Sequence, residues 1–292
     1  MKSAFPVWRS MLFVPVHVDK FVAKAHERGA DACILDLEDS VPLAQKALAR
    51  AMVPTAAVQV MKSGAAALVR VNQPWEAMTE DLRAAVGERV RAIVLPKVVD
   101  GDIVSKAAVL IADLEGARGM TQGHTLLIAQ IEDVEALPNL DAIATSSPRL
   151  MGMILGSEDF SASAGMEPIA EALFAPNQQI AFACRRAGIL PLGFPGSIAD
   201  FSDLEKFRAT IQQARQLGFV GAFCIHPSQV PVMNEGFMPS AAEVAHAQNL
   251  LAAYEAALRE GRSAFQYNGK MVDPPVVARA QELLRRSRQL TI

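Results

Sequence analysis

The chain has 292 residues, 51% of them hydrophobic and 20% charged, which excludes a disordered polymer and suits either two average domains or one barrel. Its net charge of −3 offers no electrostatic footprint for nucleic acid or an anionic membrane surface. No apolar run reaches the roughly 18 residues of a spanning helix, and the N-terminal MKSAFPVWRSMLFVPV lacks the cleavage pattern of a signal peptide.

In chain order, eight short apolar runs recur: SMLFVP (10–15), ACILDLE (32–38), ALVRVN (67–72), AIVLPK (92–97), LLIAQIE (126–132), MGMILGSED (151–159), ILPLGFP (189–195) and FVGAFCIHP (219–227). They are nearly continuous in apolar residues rather than alternating, as expected of parallel strands covered on both sides. Their spacing of roughly 25 to 35 residues is that of one strand–helix–strand unit. Between them, DKFVAKAHERG reads as a helix capped by Asp19 and stopped at Gly29, and DFSDLEKFRATIQQARQLG as another that ends at Gly218. Eight such units predict an α/β fold, a (β/α)8 barrel, with an open doubly wound sheet as the competing solution. Neither the dinucleotide fingerprint nor the Walker pattern occurs. The cysteines Cys33, Cys184 and Cys224 lie in or beside apolar stretches, so buried reduced thiols in a cytoplasmic enzyme are the expectation.

The pattern changes after residue 236. Ser240 to Glu243 forms a capping box that opens a helix through Glu260. AFQYNGKMVD then carries Asn268–Gly269 between short apolar arms, a hairpin signal, and a last helix starts at Pro274–Pro275. The expected division is a catalytic barrel over 1–236 and a helical and hairpin extension over 237–292, an arm or lid rather than a ninth unit.

Polar groups recur where the apolar runs end: Glu38 and Asp39, Arg70 and Asn72, Lys97, Glu132, Glu158 and Asp159, and His226. In a barrel those ends form the active-site face. Charges at the ends of buried strands are costly unless paired or metal-bound. Carboxylates from the fifth and sixth runs are placed to share one hard cation, and oxygen donors without a nearby His or Cys pair favour Mg²⁺ over Zn²⁺. Each residue also has a plain structural reading. Asp39 can cap a helix, Arg70 can pair with Glu38, His226 can be a core imidazole, and Asp273 before two prolines has the pattern of an N-cap. The recurrence of one sign-mixed set at the same end of successive strands carries the functional reading.

These motifs resemble the citrate lyase beta-subunit-like family of the HpcH/HpaI aldolase superfamily, which includes malyl-CoA, citramalyl-CoA and citryl-CoA lyases. The resemblance runs through RSMLFVP, GADACILDLEDSVPLAQKALAR (29–50), VRVN (69–72), LPK (95–97), IAQIED (128–133), LGSEDFSASAG, GFVGAFCIHPSQV (218–230) and NGKMVD (268–273). It implies a Mg²⁺-dependent barrel in homotrimers or homohexamers that acts on a 2-oxo acid and an acyl-CoA thioester. Carried over by position, Glu132 and Asp159 are the implied metal ligands, with Glu132 also beside the substrate. Arg70 is the implied grip on the substrate carbonyl or carboxylate. Glu38 and Asp39 are implied to hold metal-bound water and orient Arg70, and Asp273 is the implied catalytic acid or base on the lid. The chain departs from the pattern at Val16–Lys20, where a glycine and a basic loop are usual, at Gly193 in place of an Asp, and at Ala222 in place of a Lys. Those departures leave open a metal-dependent aldolase of free 2-oxo acids or a malyl-CoA thioesterase, and, from another class, a non-catalytic metabolite-binding subunit.

Overall fold

The computed structural model describes residues 5–290. Its strands are β1 (Ser10–Pro15), β2 (Ala32–Asp36), β3 (Ala66–Arg70), β4 (Val90–Leu95), β5 (Leu126–Ile131), β6 (Leu150–Leu155), β7 (Leu190–Leu192) and β8 (Ala222–Cys224). All pair in parallel, in the order β7-β6-β5-β4-β3-β2-β1-β8. β7 and β8 form no ladder with each other. Two backbone bonds bridge them instead, Gly193 N–H to Gly221 O at 2.9 Å and Val220 N–H to Pro191 O at 3.1 Å. A helix follows every strand: 19–25, 46–60, 75–85, 101–117, 140–145, 170–187, 204–217 and 229–236. This is a (β/α)8 barrel.

The two-residue period of a strand sorts the apolar residues into two layers. On β2, Cys33 and Leu35 belong to the outer layer, which includes helix residues such as Val53 and Ile111, while Ala32 and Ile34 fill the barrel interior. On β3 the inward residue is Leu68, on β4 Ala92 and Val94, and on β5 Leu126 and Ile128. The same row, continued toward the C-terminal ends, reaches Asp36, Arg70 and Gln130, all buried. The three cysteines are free and buried, as expected.

One local expectation fails. Asp19 is the first helical residue rather than the cap; Val18 holds the N-cap position with no side-chain bond, leaving Asp19 to act through its charge at the helix start.

A second compact unit begins after Phe237. It holds the helix Ala241–Arg259 behind the predicted capping box, with Glu243 N–H donating to Ser240 Oγ at 3.2 Å and Ser240 N–H to Glu243 Oε2 at 2.8 Å. A hairpin of β9 (Phe265–Tyr267) and β10 (Lys270–Val272) turns at Asn268–Gly269, both at positive φ, and leads to the helix Pro274–Leu290. Its small core is built on Ala247, Leu250, Val272, Val277 and Ala280. Among the described residues, no helix is long and apolar enough to cross a membrane.

Candidate active site

At the C-terminal ends of the barrel strands lies a cavity of ≈ 550 Å³. Its acidic side is lined by Asp36, Asp39, Glu132, Glu158 and Asp159, with Arg70 among them. Apolar residues complete the lining, Phe223 and Ile225 among them. The cavity volume falls within the usual range of small-molecule sites, and its position is that of TIM-barrel active sites.

Arg70 ends β3, opposite Asp36 at the end of β2. Its Nε donates to Asp36 Oδ1 at 2.7 Å and its Nη2 to Oδ2 at 2.8 Å, a two-point fork that fixes the guanidinium plane. Asp36 also accepts the N–H groups of Glu38 at 3.0 Å and Ser40 at 3.2 Å. Four donors thereby fill one carboxylate, which explains how a 2% exposed Asp36 stays charged. Burial alone works against its ionisation, but the bond to Arg70 and its charge win, and the pKa lies below the ordinary value. Burial likewise disfavours charge on Arg70, yet Asp36, then Glu38 and Asp39, hold its pKa above the usual guanidinium range. The ring of Phe13 lies under it, 4.6 Å from Cζ.

Glu38 and Asp39 approach the same guanidinium, at 3.0 and 3.5 Å from Nη1. The Glu38 Oε2 contact is an ion pair without hydrogen-bond alignment. Lys97 Nζ lies 3.2 Å from Glu38 Oε1. Burial raises the Glu38 pKa, against the pull of Arg70. The loop that carries these acids is tied down from behind: Lys46 Nζ donates at 2.7 Å each to the carbonyls of Leu37 and Glu38 and to Asn72 Oδ1.

Glu132 follows β5 and is 3% exposed. Its Oε1 accepts Gln130 Nε2 at 2.9 Å, and its Oε2 accepts the backbone N–H of Lys97 at 2.7 Å. Lys97 adopts a left-handed φ of 51°, one of two such non-glycine residues described, and so turns its N–H toward the acid. The Glu132 side chain also meets that of Asp159, the exposed third residue of the helix Ser157–Ala164. Burial first, then the charge of Glu38 and contact with Asp159, push the Glu132 pKa up to about 8 despite the Lys97 bond. Gly156 makes this approach possible: a Cβ there would stand 2.5 Å from Glu132 Cγ and 2.8 Å from Oε1.

The structure therefore brings Asp39, Arg70, Glu132 and Asp159 to one cavity, with Glu38 outside its lining and in contact with Arg70 and Lys97. Asp273 belongs to the second unit, where its Oδ1 accepts Val276 N–H at 3.3 Å at the start of the last helix. His226 is not a core imidazole: it is exposed, stacked on Phe201 at 4.6 Å, with Nδ1 2.7 Å from Ser228 Oγ. Two contributors went unnoticed in the sequence, Asp36 and Gln130. Each stands two residues before an acid already singled out, so counting back along the inward row would have found them.

Residues 9–227 match the model of the HpcH/HpaI aldolase/citrate lyase family. The chain belongs to that family. Among the family's relatives, it is 34% identical over 282 residues to citrate lyase subunit beta of Leuconostoc mesenteroides subsp. cremoris, covering 95% of this chain and 92% of that protein. It is also 34% identical over 307 aligned positions to L-malyl-CoA/beta-methylmalyl-CoA lyase of Cereibacter sphaeroides, covering 97% and 95%. A solved structure of CitE from Mycobacterium tuberculosis in complex with magnesium, acetoacetate and coenzyme A aligns with a TM-score of 0.76 and 29% identity, over 99% of this chain and 100% of that one. A citrate lyase from Burkholderia xenovorans shares the fold, with a TM-score of 0.82 and 18% identity over 99% of this chain and 93% of that one. Membership in this family makes the chain a carbon–carbon lyase by enzyme class.

Proposed function

We propose that the chain is a Mg²⁺-dependent lyase or synthase that cleaves a 3-hydroxyacyl-CoA of the malyl-, citramalyl- or citryl-CoA type into a 2-oxo acid and an acyl-CoA. The observation that carries this is the meeting of Glu132 and Asp159 beside a guanidinium locked by Asp36. Support comes from the citrate lyase and malyl-CoA lyase relatives and from the magnesium and coenzyme A in the Mycobacterium complex.

The donor set fits a magnesium ion. The carboxylates of Glu132 and Asp159 line the same cavity and interact, and each Glu132 oxygen accepts one bond, which leaves lone pairs for a cation. Among the described residues, no group of three or more His, Cys, Asp or Glu is arranged to hold a metal. A pair of carboxylates, with water and substrate completing the shell, is the usual habit of Mg²⁺ rather than of a closed structural site. When bound there, the ion supplies Lewis-acid polarisation of the substrate's oxygen and a template for its chelating atoms.

The chain's own residues would do the rest. Arg70, unable to rotate in its fork, presents its remaining N–H groups to the carboxylate and oxo oxygen of the 2-oxo acid and stabilises negative charge as it develops there. Glu38 and Asp39 hold that guanidinium from its other edge and orient water at the mouth. In cleavage, a base removes the hydroxyl proton and the C–C bond breaks. Its electron pair passes to the thioester α-carbon, which is then protonated. Asp273 is assigned one of those transfers on the resemblance of its NGKMVD segment, with the second unit as lid and a homotrimer or homohexamer as the working form.

Glu132→Ala and Asp159→Ala test the assignment. Each should cost at least ~3 kcal/mol of barrier, a hundred-fold or more in turnover, by comparison with the loss of one oxyanion-hole donor. Near-normal Mg²⁺-dependent cleavage of malyl-CoA or citramalyl-CoA by either variant would refute it.

A further inference from the structure

β7 and β8 end early, at Leu192 and Cys224, and the chain beyond each of them lines the cavity. Phe194, Gly196 and Ile198 come from the first of these segments and Ile225 from the second. The two backbone bonds that bridge the strands reach no further along them than Gly193 and Gly221. Among the described residues, no backbone bond joins the segment after β7 to the segment after β8. Two parts of one cavity wall therefore leave the barrel without a ladder between them.

A side chain takes the ladder's place. Gln229, the first residue of the helix Gln229–Gly236, is completely buried. Its Oε1 accepts the N–H groups of Ile225 at 3.0 Å and His226 at 3.1 Å, and its Nε2 donates to the Ile198 carbonyl at 3.2 Å. Two donors on one side and an acceptor on the other call for a neutral group with both functions, which is an amide. The connection runs on, because Ile198 N–H donates to Ser157 Oγ at 3.2 Å and Ser157 Oγ to Glu158 Oε1 at 3.2 Å. It thereby reaches the helix after β6 that carries Asp159. At the rim the same two segments touch again, through the stacked rings of Phe201 and His226.

We propose that Gln229 is a positioning residue for the lyase reaction, which sets the separation of the wall segments at Ile198 and Ile225 without touching substrate itself. The proposal rests on the lyase reading above and adds a determinant of substrate binding outside the acidic cluster. Gln229 is not part of the cavity lining, so it acts through residues that are. Removing its amide strands two N–H groups and a carbonyl at a buried position, and the segments that bear them must shift to find other partners. Glu132 and Arg70 have holders of their own, Gln130 and Lys97 for the first and Asp36 for the second. The metal site should therefore outlast the loss of Gln229.

Two variants of the full chain test this, with malyl-CoA and citramalyl-CoA as substrates in the presence of Mg²⁺. Gln229→Met keeps the length and removes all three bonds. Its folded protein should lose at least about ten-fold in kcat/KM, mostly through KM, while Mg²⁺ affinity by calorimetry stays within about three-fold of wild type. Gln229→Glu keeps the two acceptor bonds, but its carboxyl can donate to Ile198 only when protonated. Its kcat/KM relative to wild type should therefore rise as pH falls from 9 to 5.5, a recovery that a purely structural role would not produce. A lowered melting temperature with kcat/KM unchanged in Gln229→Met, a loss confined to kcat, or a flat ratio in Gln229→Glu overturns the proposal. Should the wild-type protein cleave neither thioester, the lyase reading fails separately. Mg²⁺-dependent binding of pyruvate then reports on the wall: about ten-fold weaker binding by Gln229→Met supports positioning, and equal binding, or none by wild type, overturns it.

Discussion

Asp36 and Arg70 face each other in register across β2 and β3, and the carboxylate grips the guanidinium at two points, 2.7 and 2.8 Å. Both side chains are at least nine-tenths buried, so neither has water to fall back on. An Arg aimed into a cavity is useful only if its plane is fixed before substrate arrives. The neighbouring strands do this, because the inward row of each ends on one member of the pair.

Asp36→Asn should therefore damage the site without emptying it. The amide keeps the volume but loses the charge and one acceptor. We expect kcat/KM to fall by about 30- to 1000-fold, equivalent to ~2–4 kcal/mol, with turnover and the KM for the 2-oxo acid both affected. Arg70→Lys should fail to restore function in either background, since an ammonium cannot reproduce the fork. Steady-state kinetics on the three variants decides this, and activity within three-fold of wild type in Asp36→Asn would contradict it.

Gly156→Ala tests the close approach of Glu132. The added methyl would collide with Glu132 Cγ, Glu132 Oε1 and Gln130 Nε2, at 2.5, 2.8 and 2.9 Å. Because Glu132 is held from two other sides, the displaced acid has nowhere good to go. Overpacking of this kind costs about 1–3 kcal/mol of stability. The sharper expectation is weaker Mg²⁺ binding, by ten-fold or more, read by calorimetry on the folded variant.

The raised pKa of Glu132 links stability, pH and metal. Below its ordinary value of 4.5 the carboxyl is protonated in folded and unfolded chains alike. Between 4.5 and about 8 the unfolded chain releases the proton while the folded one keeps it, so stability declines as pH rises and levels off above about 8. Mg²⁺ competes with the same proton, so its apparent affinity should grow with pH through this window. Melting scans at pH 5, 6.5 and 8.5, with and without Mg²⁺, measure both slopes. Glu132→Gln, which cannot ionise, should flatten them.

Away from the cavity, Arg149 and Glu115 form a second buried pair at 2.6 and 3.0 Å, with Glu115 also accepting the N–H groups of Gly123 and Thr125. Burial opposes the charge on Glu115, but Arg149 and the two N–H groups prevail and lower its pKa. The stability it contributes is present above the unfolded value of 4.5 and is lost as pH falls through the lower folded value. Glu115→Ala should cost ~3–5 kcal/mol, because it strands a buried guanidinium. The folded fraction should keep its kcat/KM, which separates this structural pair from the one at Arg70.

How much was legible in the sequence differs by level. The eight apolar runs marked eight parallel strands by themselves, since strands covered on both faces must be apolar on both, and that leaves a mark in composition. Closure into a barrel rather than an open doubly wound sheet shows only in the pairing and in the bonds between Gly193 and Gly221 and between Val220 and Pro191. The polar residues at their ends named the face, and the motifs named the family. Gly193 and Ala222 could be seen to depart from the pattern, but only the packed chain shows Gly193 at φ 123° with its N–H closing the barrel. Asp36 and Gln130 stayed hidden because a polar residue inside an apolar strand looks like noise until its inward direction is known.

What only the tertiary structure decided is who holds whom. From sequence, Arg70 had Glu38 as its natural partner; in the fold Asp36 takes the fork, and Glu38 lies between Arg70 Nη1 and Lys97 Nζ. The contact of Glu132 with Asp159 and the left-handed turn at Lys97 likewise depend on distances between strands that are far apart in the chain. Residue types and their period are local properties and can be read in order. The partners of buried charges depend on register, closure and the absence of a single methyl at Gly156, and those exist only once the barrel has closed.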